Sequence, residues 1–239
     1  MDAADGCAIV ELRQYALHPD ARERLIALFD REFIETQEAV GMRVIGQFRD
    51  LDSPDSFVWF RGFSDMEARK AALTSFYGGP VWAEHCEEAN GTMVDSDDVL
   101  LLRPANRHAG FKLGDYLRPQ PKEVTSEPGH FALTVYHLKL AAEDGFLDLF
   151  ARKVLPQIST LGATNIATLV TEASANTLPR LPVREGEKVL VSLLRLGGSA
   201  DFAEVRPGVL AADDSQITEQ FVRAPQVSHL TSTARSLVR

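Results

Sequence analysis

Residues 8–48 read AIVELRQYALHPDARERLIALFDREFIETQEAVGMRVIGQF, and residues 129–169 read GHFALTVYHLKLAAEDGFLDLFARKVLPQISTLGATNIATL. Sliding the chain on itself by 121 residues lays one stretch on the other without a gap. Leu12 then meets Leu133, Tyr15 meets Tyr136, Leu17 meets Leu138 and Ala21 meets Ala142. Leu28 and Phe29 meet Leu149 and Phe150, Arg31 meets Arg152, Gly41 meets Gly162 and Ile45 meets Ile166. Each stretch starts as an alternating strand, passes into apolar positions at helical spacing and stops at a glycine, so strand, helix and terminator recur in one register. The chain reads as an internal duplication.

Working outward from the first copy, Ala8–Ala16 alternates as a strand. Leu25, Leu28, Phe29, Phe33 and Val40 carry a helix from Ala21 to about Val40, with Asp20 placed as its N-cap. Gly41 ends that helix, and Arg43–Phe48 forms a second strand. The β-branched and aromatic run Phe57–Arg61 forms a third. Ser64 with Glu67 makes a capping box for a helix over about Asp65 to Phe76, and a short helix after Gly78-Gly79-Pro80 carries Trp82 and His85. Val99–Arg103 closes a β-α-β-β-α-β order, the ferredoxin-like signature.

The proline-bearing, aperiodic residues 105–128 read as a linker between an N-terminal half, residues 1–104, and a C-terminal half, residues 129–239. Beyond the second strand the copies align only with the offset raised to about 134 to 136. That lays Phe57–Arg61 on Val191–Arg195 and Leu101–Arg103 on Leu237–Arg239. The extra length falls in Glu172–Glu187, a long β2–β3 insertion of the kind that covers pockets. Pro207 and Gly208 interrupt the later helices expected over Asp201 to Gln220.

A net charge of −9 and a pI near 5.2 disfavour nucleic acid and anionic membranes as partners. A hydrophobic content of 45% with 25% charged residues is that of a folded chain. Cys7 and Cys86 form no CxxC pair, so neither a disulfide framework nor a zinc site is expected. The acidic segment Met1–Gly6 has no apolar leader region, and no run of 18 apolar residues follows, which together predict a cytoplasmic protein.

Glu11-Leu-Arg13-Gln-Tyr15, the long amphipathic helix, Gly46-Gln-Phe48, Val58-Trp-Phe60, Ala68-Arg69 and Pro80-Val-Trp82 make the first half similar to the NIPSNAP family. The second half lacks the Glu-x-Arg of the first strand and the tryptophan of the third. That family belongs to the dimeric α+β barrel superfamily. The resemblance implies an α+β fold in which two ferredoxin-like halves, supplied in cis, close into one intrachain barrel, a pseudo-dimer. Self-association through other surfaces stays compatible with it. Relatives include cofactor-independent monooxygenases, isomerases, haem enzymes and proteins of no known activity, so the resemblance implies no particular reaction.

With Val10 and Leu12 assigned to the helix side, Glu11, Arg13 and Tyr15 turn into the barrel, joined by Trp59, Arg61 and Tyr136. An apolar lumen with a few placed polar groups is the usual character of a small-molecule site. The competing expectation is that Glu11 forms an ion pair with Arg13 or Arg61 that joins strands. His85 and His137 are the candidate acid/base groups. No metal-ligand spacing, GxSxG, P-loop or GxGxxG after a strand occurs, and no cofactor is expected. Two functions remain: lumen binding of a small, largely apolar molecule, with cofactor-independent oxygenase or isomerase chemistry open, and a non-catalytic interaction scaffold with a packed lumen. Because Ala132, Thr134 and Leu193 or its neighbours replace the first half's polar positions, a single site belongs to the first half's sheet.

Overall fold

Ile9–Leu17 forms strand β1, and nearly every one of its residues is buried, Glu11 and Arg13 included. Such burial requires cover on both faces, and the topology supplies it. The computed structural model describes residues 7–114, 118–120, 127–198, 201–211 and 213–239. Met1–Gly6 and residues 115–117 and 121–126 of the expected linker lie outside the described residues.

After β1 come a helix over residues 22–39, β2 (Arg43–Asp50), β3 (Ser56–Phe63), helices Met66–Tyr77 and Pro80–Asn90, β4 (Met93–Asp95) and β5 (Val99–Pro104). The later chain runs through β6 (His130–His137), a helix over residues 146–160, β7 (Ala163–Thr171), β8 (Val189–Leu196), helices Phe202–Leu210 and Ser215–Thr218, and β9 (Gln226–Ser232). The spatial order β3-β2-β9-β6-β8-β7-β5-β1 returns to β3, so eight antiparallel strands close a barrel and β4 adds a short flap on β1. Two seams complete it: Phe48–Asp50 of β2 against Leu230–Ser232 of β9, and Leu102–Pro104 of β5 against Leu169–Thr171 of β7. With no free edge among the eight, the ladder hydrogen bonds are satisfied all round.

Among the described residues three apolar cores follow. The lumen is filled by residues from all eight barrel strands, among them Val10, Leu12, Phe48, Phe60, Phe131 and Leu193, and is joined by Phe111, Leu113, Leu237 and Val238. A second core lies between β1, β3 and the first-half helices, and a third between β6, β8 and the later helices.

Local details differ from expectation where short-range signals compete. Asp65, not Ser64, caps Met66–Tyr77 by accepting from Ala68 N at 2.7 Å. The first helix has no side-chain cap, because Asp20 takes a left-handed φ of 63° and Ala21 occupies the N-cap position. The fourth strand of the second half is Gln226–Ser232, whereas Leu237 and Val238 enter the lumen core. The third-strand alignment is also one residue off. Glu11 faces Arg61 and Ala132 faces Leu194, so Leu194, not Arg195, occupies the place of Arg61. A one-residue slip reverses the face; accordingly Arg61 is fully buried and Arg195 exposed.

Candidate functional site

The residues expected in the lumen lie on the other face of the sheet. Val10, Leu12, Val58 and Phe60 line the lumen, while Tyr15 and Trp59 pack under the first-half helices, and Glu11, Arg13 and Arg61 share their parity on β1 and β3. Both faces of β1 are buried, so alternation in the sequence could not tell which side was the lumen. Physical chemistry decides it. An eight-stranded barrel has room for little beyond its own wall side chains, whereas the helix side offers partners that satisfy charge.

Glu11 is the hub. Its Oε2 accepts from Arg13 Nη1 at 2.8 Å and from Arg61 Nε at 2.8 Å, and its Oε1 accepts from Arg69 Nε at 2.7 Å. Arg61 Nη2 also stands 2.7 Å from Oε2, off the hydrogen-bond axis, and so adds charge contact alone. Arg13 Nε donates to the Tyr15 hydroxyl at 2.8 Å. Arg61 Nη1 is within reach of Gln37 Oε1 at 3.3 Å and the Tyr77 hydroxyl at 3.4 Å. The Trp59 ring lies 5.2 Å from the Arg61 guanidinium and 5.7 Å from that of Arg13, distances at which the π face favours cations.

Burial alone would raise the Glu11 carboxyl, but the fields of Arg61, Arg13 and Arg69 together outweigh it and hold the group far below the usual carboxylate range. Glu11 is therefore a fixed anion rather than a proton acceptor at neutral pH. Burial pushes the Tyr15 phenol up, against the pull of Arg13, which keeps its proton in place.

Arg69 was not singled out as a site residue, yet the sequence carries a signal for it. It occupies the same stripe of Met66–Tyr77 as Ala72, Leu73 and Phe76, all buried. An arginine inside an apolar stripe at i, i+3, i+4, i+7 calls for a buried counter-charge. Gln37 was missed for the same reason, lying on the stripe of Phe33 and Ile34.

The insertion roofs this cluster from the other half of the chain. Arg69 Nη1 donates to Asn176 Oδ1 at 3.1 Å and to Thr177 Oγ1 at 3.2 Å, and Leu178 and Leu181 pack on the first-half core. The loop is tied to β5 through Glu172 N on Leu101 O at 2.9 Å and Arg184 N on Val99 O at 2.8 Å. Beside it runs a groove of about 750 Å³, lined by Leu101, Ala141, Ser174, Ala175 and Arg184 among others. Leu101 is the cross-strand partner of Glu11, and Ala175 adjoins Asn176 in the chain.

The remaining candidates lie apart from the cluster. Tyr136 is under the second-half helices, where its hydroxyl donates to Val209 O at 2.7 Å. His85 packs on Phe33 with Nε2 3.6 Å from Glu32 Oε2. His137 ends β6 with Nδ1 3.2 Å from Glu187 Oε2, and burial, with Arg223 beside it, lowers its pKa against the pull of Glu187. Among the described residues the histidines pair elsewhere, His85 with Glu32 and His137 with Glu187, and neither pairs with Glu11 or its arginines. Among the described residues no group of three histidine, cysteine or acidic side chains is disposed to hold a metal, and no helix is long and apolar enough to cross a membrane.

Comparison with curated proteins yields no match. Three solved structures share the architecture over nearly the whole chain. A provisionally assigned monooxygenase from Lactobacillus acidophilus is 12% identical, with a TM-score of 0.53 and coverage of 94% of this chain and 93% of that one. Another from Fusobacterium nucleatum is 8% identical, with a TM-score of 0.54 and coverage of 94% and 91%. An anthrone oxidase-like protein is 12% identical, with a TM-score of 0.54 and coverage of 98% and 94%. At these identities the likeness is one of fold. The sequence match is narrower: residues 10–107, within the N-terminal half, fit the NIPSNAP family model.

Proposed function

We propose that this chain binds a small molecule in the layer between the first-half sheet and its helices, with the 172–188 loop as the roof and the lumen serving only as core. The observation that carries the reading is the Glu11, Arg13, Arg61, Arg69 cluster, fully desolvated and confined to one half. Buried ion networks add little net stability over apolar packing of the same volume. The second half makes its equivalent layer with Ala132, Thr134 and Leu194. A charged hub that the architecture does without in one half points to a use in the other. Chemistry of the oxygenase or isomerase kind would draw on Tyr15, Tyr77 and the three guanidiniums, with Glu11 as their fixed counter-ion.

The same reading includes descent from a duplicated ferredoxin-like unit, with a boundary in residues 105–128. Repetition of irregular details supports it. π-helical turns fall at Phe29–Phe33 and Phe150–Val154, bulges at Val44/Gly46 and Asn165/Ala167, and left-handed glycines at Gly41 and Gly162. The scaffold alternative draws on the filled lumen and the mutual pairing of the charges.

A metabolite screen by thermal shift separates the two, since a ligand at 100 times its dissociation constant stabilises by about 2.7 kcal/mol. In a Trp82→Phe variant, Trp59 is the sole tryptophan, and hits are expected to change its emission. A screen without hits, or hits that leave Trp59 silent, overturns the reading.

A further inference from the structure

Resting on that binding reading, we infer that the ligand is a small carboxylic acid whose carboxylate pairs with Arg69 and whose apolar body lies in the groove beside the insertion. The cluster sets three guanidiniums against one carboxylate, and all four side chains are within a few per cent of complete burial. Among the described residues two positive charges are thus left without an anion in a desolvated layer, a costly arrangement unless a counter-charge joins it. Arg69 shows where the anion is missing. Its Nε is committed to Glu11, and among the described residues its Nη1 meets only the neutral oxygens of Asn176 and Thr177 and its buried Nη2 has no hydrogen-bond partner. Guanidinium matches carboxylate geometry in a two-pronged way that amide and hydroxyl oxygens do not reproduce.

The surroundings fit the rest of such a molecule. The groove of about 750 Å³ has the size of a small-molecule pocket; its wall carries Leu101, cross-strand from Glu11, and Ala175, next to Asn176, along with Glu143, Glu172, Glu185 and Glu187, and Arg69 lies off that wall. Asn176 and Thr177 act as place-holders on a loop anchored at both ends, by Glu172 and by Arg184, and they yield Arg69 to the incoming anion.

The test compares hexanoate and benzoate with hexanamide and benzamide by thermal shift, at constant ionic strength set with sodium chloride. The acids are expected to raise the unfolding midpoint and the amides to leave it in place. Thr177→Asp supplies a carboxylate from the loop itself. Relative to the near-isosteric Thr177→Asn, it is expected to raise the midpoint without ligand and to weaken apparent hexanoate affinity at least tenfold. Both variants sit on the loop and leave the cluster intact, so the comparison does not depend on an arginine variant folding. Equal shifts by acids and amides would overturn the carboxylate inference while leaving ligand binding standing. Hexanoate affinities within twofold in the two variants would also overturn it, since the acid would then bind away from Arg69. No shift from either class, beside hits of other chemistry in the metabolite screen, sinks this inference alone; an empty screen sinks the binding reading as well.

Discussion

Each half covers one face of its strands with helices, but the two layers are filled with different chemistry. Under the first-half helices, Glu11 holds three arginines beside Trp59 and Tyr15. Under the second-half helices, Ala132, Leu190 and Leu194 pack with Tyr136 and Phe150, and the Tyr136 hydroxyl is satisfied by one backbone carbonyl. The contrast teaches that the α+β barrel does not require the charged cluster. Covering a sheet face with helices is enough, because area removed from water supplies most of the stabilisation.

The largest effect should come from removing the hub. Glu11→Gln leaves three buried guanidiniums without their anion and is expected to cost about 3–5 kcal/mol in urea unfolding. Converting the layer to the second-half pattern, with Glu11→Ala, Arg13→Thr, Arg61→Leu and Arg69→Met together, should recover most of that loss. If the combined variant is no more stable than Glu11→Gln, the two layers are not equivalent scaffolds.

A second contrast lies in the first helix, where Asp30 stands at the position that aligns with Ala151. Burial raises the Asp30 carboxyl to about 6, against the pull of Arg235 and Arg118, and among the described residues its Oδ1 has no hydrogen-bond partner. A folded-state pKa above the ordinary 3.8 means that the folded chain binds the extra proton between the two values. The contribution is therefore full below about pH 4 and is lost as pH rises through about 6, a swing of up to roughly 3 kcal/mol. Asp30→Asn should stabilise the protein at pH 7 and change it little at pH 3.5; equal effects at both would refute the assignment.

The smallest test compares the repeated tyrosines. Tyr15 accepts from a charged guanidinium and Tyr136 donates to a carbonyl. Tyr15→Phe should cost about 1.5–3 kcal/mol and Tyr136→Phe about 0.5–1.5 kcal/mol. A reversed order would mean that the first-half hydrogen bond contributes less than its charge implies.

How much of this was legible in the sequence depended on whether the signal was local. Strand, helix and glycine at 8–48 and 129–169 were readable because period and terminator are properties of neighbouring residues. The asymmetry was readable too, since Glu11 and Arg13 face Ala132 and Thr134 in a gapless alignment. The insertion at Glu172–Glu187 was located from its length and composition, but not its destination across the chain on Arg69. Beyond the insertion, alignment by residue identity matched Arg61 to Arg195, and only the ladder register corrected it.

The sequence by itself determined which residues alternate, which form helices, and that one half carries charge where the other is apolar. Which face of β1 is the lumen was decided by closure of the barrel. Two apolar sheet faces turned towards each other exclude water and leave no partner for a charge, so Glu11, Arg13 and Arg61 belong on the side where Arg69, Gln37 and Tyr77 descend from the helices. Those partners come from elements far apart in the chain, and periodicity along one strand contains no information about them.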